Sequence, residues 1–267
     1  MSSPLNKNDR ELPFISHLIE LRERLLHIIL AVLLVTLVLF PFSNSIYTWV
    51  ATPLMRLLPQ GSSMIATEVA SPFMAPFKLT LVAAIFLVMP YILYEVWSFV
   101  APGLYRHERN LVLPLVVSSA LLYYLGMAFA YFLVFPMVFG FFVGAAPQGV
   151  SVMTDINKYL DFVLTLFFAF GIAFEVPVAT VLLAWTGVVN PDDLAEKRPY
   201  IIVAAFTIGM ILTPPDVFSQ TMLAIPMWLL FELGLYVSRI LLRARQVREH
   251  ESVTSSSLLT KVPSEKD

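Results

Sequence analysis

The side chains in this sequence best suited to chemistry are carboxylates, and they occur in two settings. Glu20 and Glu108 stand beside arginines in polar stretches, Glu20 four residues before Arg24 and Glu108 between His107 and Arg109. Taken alone these are ordinary surface charges, worth a few tenths of a kcal/mol as helix or loop pairs. They acquire a use with a partner carrying two guanidinium groups, because two carboxylates on one concave surface can each take an arginine in a bidentate pair. Glu175 differs, since it lies inside an apolar run two residues before Pro177. A carboxyl group at mid-bilayer is costly unless it is protonated, paired or lining a wet cavity, which marks it as functional. The structural alternative is a protonated acid donating to a backbone carbonyl left open by Pro177. Glu95 and Glu232 lie near the ends of their apolar runs and can reach the interface, so they read as structural. Catalytic patterns are missing: there is no paired His-Glu metal helix, no Gly-rich phosphate loop, no Gly-x-Ser-x-Gly elbow, no cysteine, and only four isolated histidines. No enzyme, metal site or cofactor is expected.

The elements that must position these groups are set by composition. Of 267 residues, 58% are hydrophobic and 13% charged, and the mean hydropathy is +0.78. That apolar content exceeds what a water-soluble domain can cover with polar surface, so most of the chain must face lipid. The net charge of −2 gives no footing for nucleic-acid binding. An all-α integral membrane protein is expected.

Six spans can be drawn, at about 25–42, 77–99, 111–135, 159–185, 200–212 and 217–238, making residues 1–248 a single membrane domain. Leu18, Leu21 and Leu25 at helical spacing predict an interfacial amphipathic helix that runs into the first span. Prolines and glycines mark 43–76 as a connecting segment with one short helix, Pro90 and Pro114 fall within spans, and a loop is expected over 136–158. Gly140 and Gly144 have the spacing of a helix-packing motif but fall beyond the expected end of the third span. The fifth and sixth spans are short; 200–212 crosses only a thinned bilayer. Thr213-Pro214-Pro215-Asp216 forces a break, and Ser, Lys and acidic residues predict a disordered tail over 249–267. Of the 17 Lys and Arg residues, all but Arg56, Lys78 and Lys158 fall on one side, which places both termini in the cytoplasm.

Several ordered motifs resemble the TatC family, the polytopic subunit of the bacterial twin-arginine translocase. They are His17-Leu18-Ile19-Glu20-Leu21-Arg22, Ala70-Ser71-Pro72-Phe73, Tyr94 through Leu104, His107-Glu108-Arg109, Phe174-Glu175-Val176-Pro177 and Leu212 through Asp216. The resemblance covers about His17 to Arg239 and implies six helices in a cup-shaped arrangement in the bacterial inner membrane. It also implies a receptor for twin-arginine signal peptides of folded cargo, oligomeric with TatB and assembling with TatA for transport driven by the proton-motive force. By motif position, Glu20 and Glu108 would bind the arginine pair, with Phe99, Pro102 and Arg109 shaping that surface. Glu175 would contact a partner's transmembrane helix or perturb the bilayer. Pro53 and Asp216 would be functional positions on the periplasmic side, although Pro53 reads equally as a helix start and Asp216 as a turn residue.

A second reading, a proton-coupled small-solute transporter using Glu175, requires repeated halves and several convergent intramembrane polar groups; the sequence has one such carboxyl and no visible repeat.

Overall fold

The computed structural model describes residues 8–57, 64–104, 112–145, 153–212 and 217–259. Ten α-helices occupy nearly all of them: α1 (Asn8–Leu39), α2 (Ser43–Leu57), α3 (Ser71–Leu104), α4 (Val112–Phe129), α5 (Phe135–Gly144), α6 (Ile156–Ala173), α7 (Val176–Trp185), α8 (Pro191–Glu196), α9 (Arg198–Leu212) and α10 (Val217–Leu259). Among the described residues, five helical stretches are long and apolar enough to cross a membrane, and Arg198–Ile211 is a shorter apolar helix. The protein is an all-α multi-pass membrane protein.

The helices run further than the expected spans, and prolines explain most of the difference. Pro72, Pro136, Pro177 and Pro191 sit within the first two residues of α3, α5, α7 and α8, where the missing N–H has no partner to lose and the fixed φ suits the first turn. Residues that suggested loop therefore start helices, and α3 takes in Ser71 to Pro76. The third span does not end at Pro136. A wide π-turn over Ala130–Val134 precedes it, relieving the clash between the proline ring and the carbonyl four residues back, and the helix resumes to Gly144. The fourth span breaks before Pro177, between α6 and α7, for the same reason. The tail expected to be disordered is helical to Leu259. No glycine or proline lies between Leu235 and Leu259, and extending a formed helix is cheap compared with nucleating one.

The chain forms two compact units, Met1–Ile172 and Ala173–Asp267. In the first, α3 packs against α1, α2 and α4, and α2 also meets α5. Its interior is aromatic: Tyr123, Phe135, Tyr159 and Phe170 are fully buried. Gly171 lets α6 lie against the Tyr123 ring, since a Cβ there would fall 2.5 Å from a ring carbon. Among the polar bonds that cross between helices in this unit, the Tyr159 hydroxyl donates to the Val50 carbonyl (2.8 Å), the Tyr124 hydroxyl to the Phe86 carbonyl (3.0 Å), and Trp97 Nε1 to Ser119 Oγ (2.9 Å). In the second unit α10 packs on α7, α8 and α9. Gly187 closes α7 at φ +71, the left-handed conformation that favours glycine at a helix C-terminus.

The outward surfaces are apolar. Along α1, Leu25, Leu26, Ile29, Leu30, Leu33, Leu34, Leu37 and Val38 are all exposed, as are Tyr200, Val203 and Ile211 on α9. Contiguous faces of this size are stable against hydrocarbon and not against water. At 15 residues, α9 is about 22 Å long, short of the ~30 Å hydrocarbon core.

Candidate site where α1 begins and α3 ends

Within the first unit, the N-terminal half of α1 lies along the C-terminal half of α3, and five side chains meet there: Glu95, Arg24, Glu20, His17 and Phe99. Glu95 is buried, with 7% of its surface exposed. A buried carboxylate requires a partner, and Arg24 of α1 supplies one: its Nη1 donates to Glu95 Oε2 at 2.7 Å. The same guanidinium reaches back one turn to Glu20, donating from Nε at 3.0 Å and from Nη2 at 2.7 Å to the single oxygen Oε1. The i,i+4 spacing of Glu20 and Arg24 makes the second contact possible, and the planar fork of arginine lets one side chain serve both acids. Glu20 itself stays 40% exposed at its side chain, and its other oxygen, Oε2, lies 3.9 Å from His17 Nδ1. The His17 ring stacks on Phe99, centroids 4.1 Å apart and planes 14° from parallel.

Of the expected binding residues, the structure brings Glu20 and Phe99 into this cluster. Pro102 lies in the last turn of α3, and Glu108 and Arg109 fall outside the described residues. Sequence reasoning missed Arg24 as the hub and Glu95 as its second acceptor. The i,i+4 pair was visible, but the link to Glu95 across 71 residues depends on how α1 packs on α3. His17 against Phe99 is equally a product of that packing.

Glu175 occupies the cap position of α7, half-buried, with helical φ and ψ and no side-chain hydrogen bond to the first-turn amides. Its carbonyl accepts from the Ala179 amide at 2.9 Å. Pro53 lies inside α2 and not at its start, so the helix-start reading is set aside. Asp216 is outside the described residues. Glu232 pairs with Arg198 in a bidentate fork at 2.6 and 2.9 Å, tying α10 to the start of α9.

At the opposite end of the first unit, Asp155 organises the chain before α6. Its Oδ2 accepts from the Thr67 hydroxyl at 2.7 Å and the Thr67 amide at 3.0 Å, while Oδ1 accepts from the Asn157 and Lys158 amides. Ile65 pairs with Thr154 and Ile156 through backbone bonds of 3.0 Å. The Thr67 hydroxyl first, then the amides, hold the Asp155 carboxyl down to about 2. Nearby, Lys78 is ion-paired with Asp161. Among the described residues no group of His, Cys, Asp and Glu could hold a metal ion.

Long apolar helices with lipid-facing surfaces, and a buried acid paired near the end of one of them, define a multi-pass membrane protein. Comparison makes this specific. The family model described as Sec-independent protein translocase protein (TatC) matches residues 16–226, and the chain belongs to the TatC family, a component of Sec-independent protein translocation. It is 60% identical to the TatC protein of Escherichia coli K12 over 237 residues, 89% of this chain and 92% of that one. It is 61% identical to that of Azotobacter chroococcum over 229 residues, 86% and 90% of the two chains. The crystal structure of a twin arginine translocase receptor, TatC, superposes with a TM-score of 0.76 at 37% identity, covering 84% of this chain and 98% of that one.

Proposed function

We propose that this chain is the signal-peptide receptor and scaffold of a twin-arginine translocase in the bacterial inner membrane, with six spans and both termini cytoplasmic. Glu20 and Glu108 accept the two arginines of the signal peptide, and Phe99, Pro102 and Arg109 shape the surface beside them. The loaded receptor then assembles with the single-span subunits TatB and TatA, and the proton-motive force drives passage of the folded cargo. Glu175 meets a partner's transmembrane helix, while Pro53 and Asp216 act on the periplasmic face.

The observation that carries this reading is the state of Glu20. Its carboxylate, two-fifths exposed, is already bound to a guanidinium of its own chain, so it has the chemistry and the access that a peptide arginine needs. Glu108 follows Leu104, the last residue of α3, by four positions in the sequence, and is the second acceptor in this reading.

The test is binding of a labelled Arg-Arg signal peptide and its Lys-Lys counterpart to the full chain in nanodiscs, at two salt concentrations. Glu20→Ala and Glu108→Ala should each remove at least ~1 kcal/mol of the arginine preference, the amount expected for a lost charge-assisted pair, with a smaller effect at high salt. Variants that bind both peptides as the parent chain does would overturn the assignment.

A further inference from the structure

We infer that Arg24 is a resident competitor for Glu20, a guanidinium of the receptor itself that an incoming arginine must displace, and that Arg24 thereby holds down the affinity of the site for cationic peptides. The inference rests on the receptor reading above.

The argument begins with charge. Two carboxylates, Glu20 and Glu95, share one guanidinium, which leaves the cluster one positive charge short of neutrality. A peptide arginine supplies that charge and makes two pairs from two acids and two guanidiniums. Geometry then determines which acid it takes. Glu95 is buried and bound at 2.7 Å by Arg24 Nη1, whereas Glu20 is the more exposed partner, its Oε2 3.9 Å from His17 Nδ1 and free of Arg24. The incoming group therefore meets Glu20 while Arg24 keeps its bond to Glu95, so the buried acid is not left unpaired during the exchange.

The cost of entry follows from what must be displaced. Arg24 places two N–H donors on Glu20 Oε1. An arginine brings the same fork and exchanges like for like; a lysine ammonium is a compact, strongly hydrated point charge without that geometry. Because either cation must displace the same guanidinium, the competitor lowers the affinity for both by one common factor. Without it, Glu20 accepts either cation more tightly.

The test uses the full chain in nanodiscs with the Arg-Arg and Lys-Lys peptides and four near-isosteric or neutralising variants. Arg24→Gln should tighten both peptides by the same factor, about tenfold, as expected for removing charge-assisted donors from a partly exposed acid, with the Arg-Arg preference unchanged. Glu95→Gln should act with the opposite sign, weakening Arg-Arg about threefold, because Arg24 then has only Glu20 as an ionic partner. If Arg24→Gln does not fold, Arg24→Lys, which cannot bridge both acids with a fork, must still tighten both peptides. A purely structural brace predicts that Arg24→Gln and Glu95→Gln both weaken binding, and that result would overturn the inference alone. Glu20→Gln separates the two levels: if it leaves binding unaltered, the receptor reading fails and this inference fails with it.

Discussion

The seam between α7 and α10 offers a sharp test of the packing, through Gly234→Ala. A methyl group added at Gly234 would lie 2.9 Å from the Cα of Pro177, 3.1 Å from Thr180 Cβ and 3.2 Å from Thr180 Oγ1. Carbon pairs attract at ~3.5–4.0 Å with a well of only ~0.15 kcal/mol, and on that potential a contact at 2.9 Å costs roughly 2 kcal/mol before relaxation. The nearest atom is backbone, held by a proline ring, so the helices must separate by several tenths of an ångström, and overpacking of this kind typically costs ~1–3 kcal/mol. Against it stands the gain from replacing glycine in a helix, about 0.5–1 kcal/mol. The net expectation is a loss of about 1–2 kcal/mol, or a Tm lower by roughly 3–6 °C for a chain of this size. Gly140→Ala supplies the control, because a Cβ there meets nothing within 4 Å and only the helix gain applies. Thermal unfolding of the purified chain in one detergent, followed by tryptophan fluorescence, reads both. If Gly234→Ala stabilises as much as Gly140→Ala, the reasoning from close approach is wrong.

Two further perturbations report on the first unit. Asp155 is held at about 2, below its ordinary 3.8, so its contribution is complete above about pH 4 and disappears as pH falls through about 2. Amide hydrogen exchange at Ile65 and Thr67 should therefore accelerate across that window, and Asp155→Asn should flatten the dependence; an unchanged profile in the variant would refute the assignment. Ser119→Ala removes the acceptor of the Trp97 indole N–H between α3 and α4. It should cost about 0.6 kcal/mol, the average for an interhelical hydrogen bond in a membrane protein, with a shift in tryptophan emission; no change in either would show that the bond contributes nothing.

Much of this protein was legible from its residues alone. The apolar excess required lipid-facing helices, and the shortness of the fifth was evident because helix length is linear in residue count. The motifs around Glu20, Glu108 and Glu175 pointed to the family before any coordinate did. The prolines misled as boundaries: a proline that ends one helix also starts the next, and Pro72, Pro136 and Pro191 did the second.

The charge network was beyond the sequence for a different reason. Glu20 and Arg24 are neighbours on one helix, so local periodicity predicts their contact. Glu95 is 71 residues away from Arg24, and whether it needs a partner depends on its burial, which only the packing of α1 on α3 determines. Until that packing exists, Glu20–Arg24 is a solvent-exposed pair of little energetic consequence. Once α3 brings a buried acid to the other edge of the same guanidinium, the pair becomes a shared, incompletely neutralised site. The sequence by itself determined which charges were available and that they lie at the ends of lipid-facing helices; only the tertiary structure decided which two acids share one arginine.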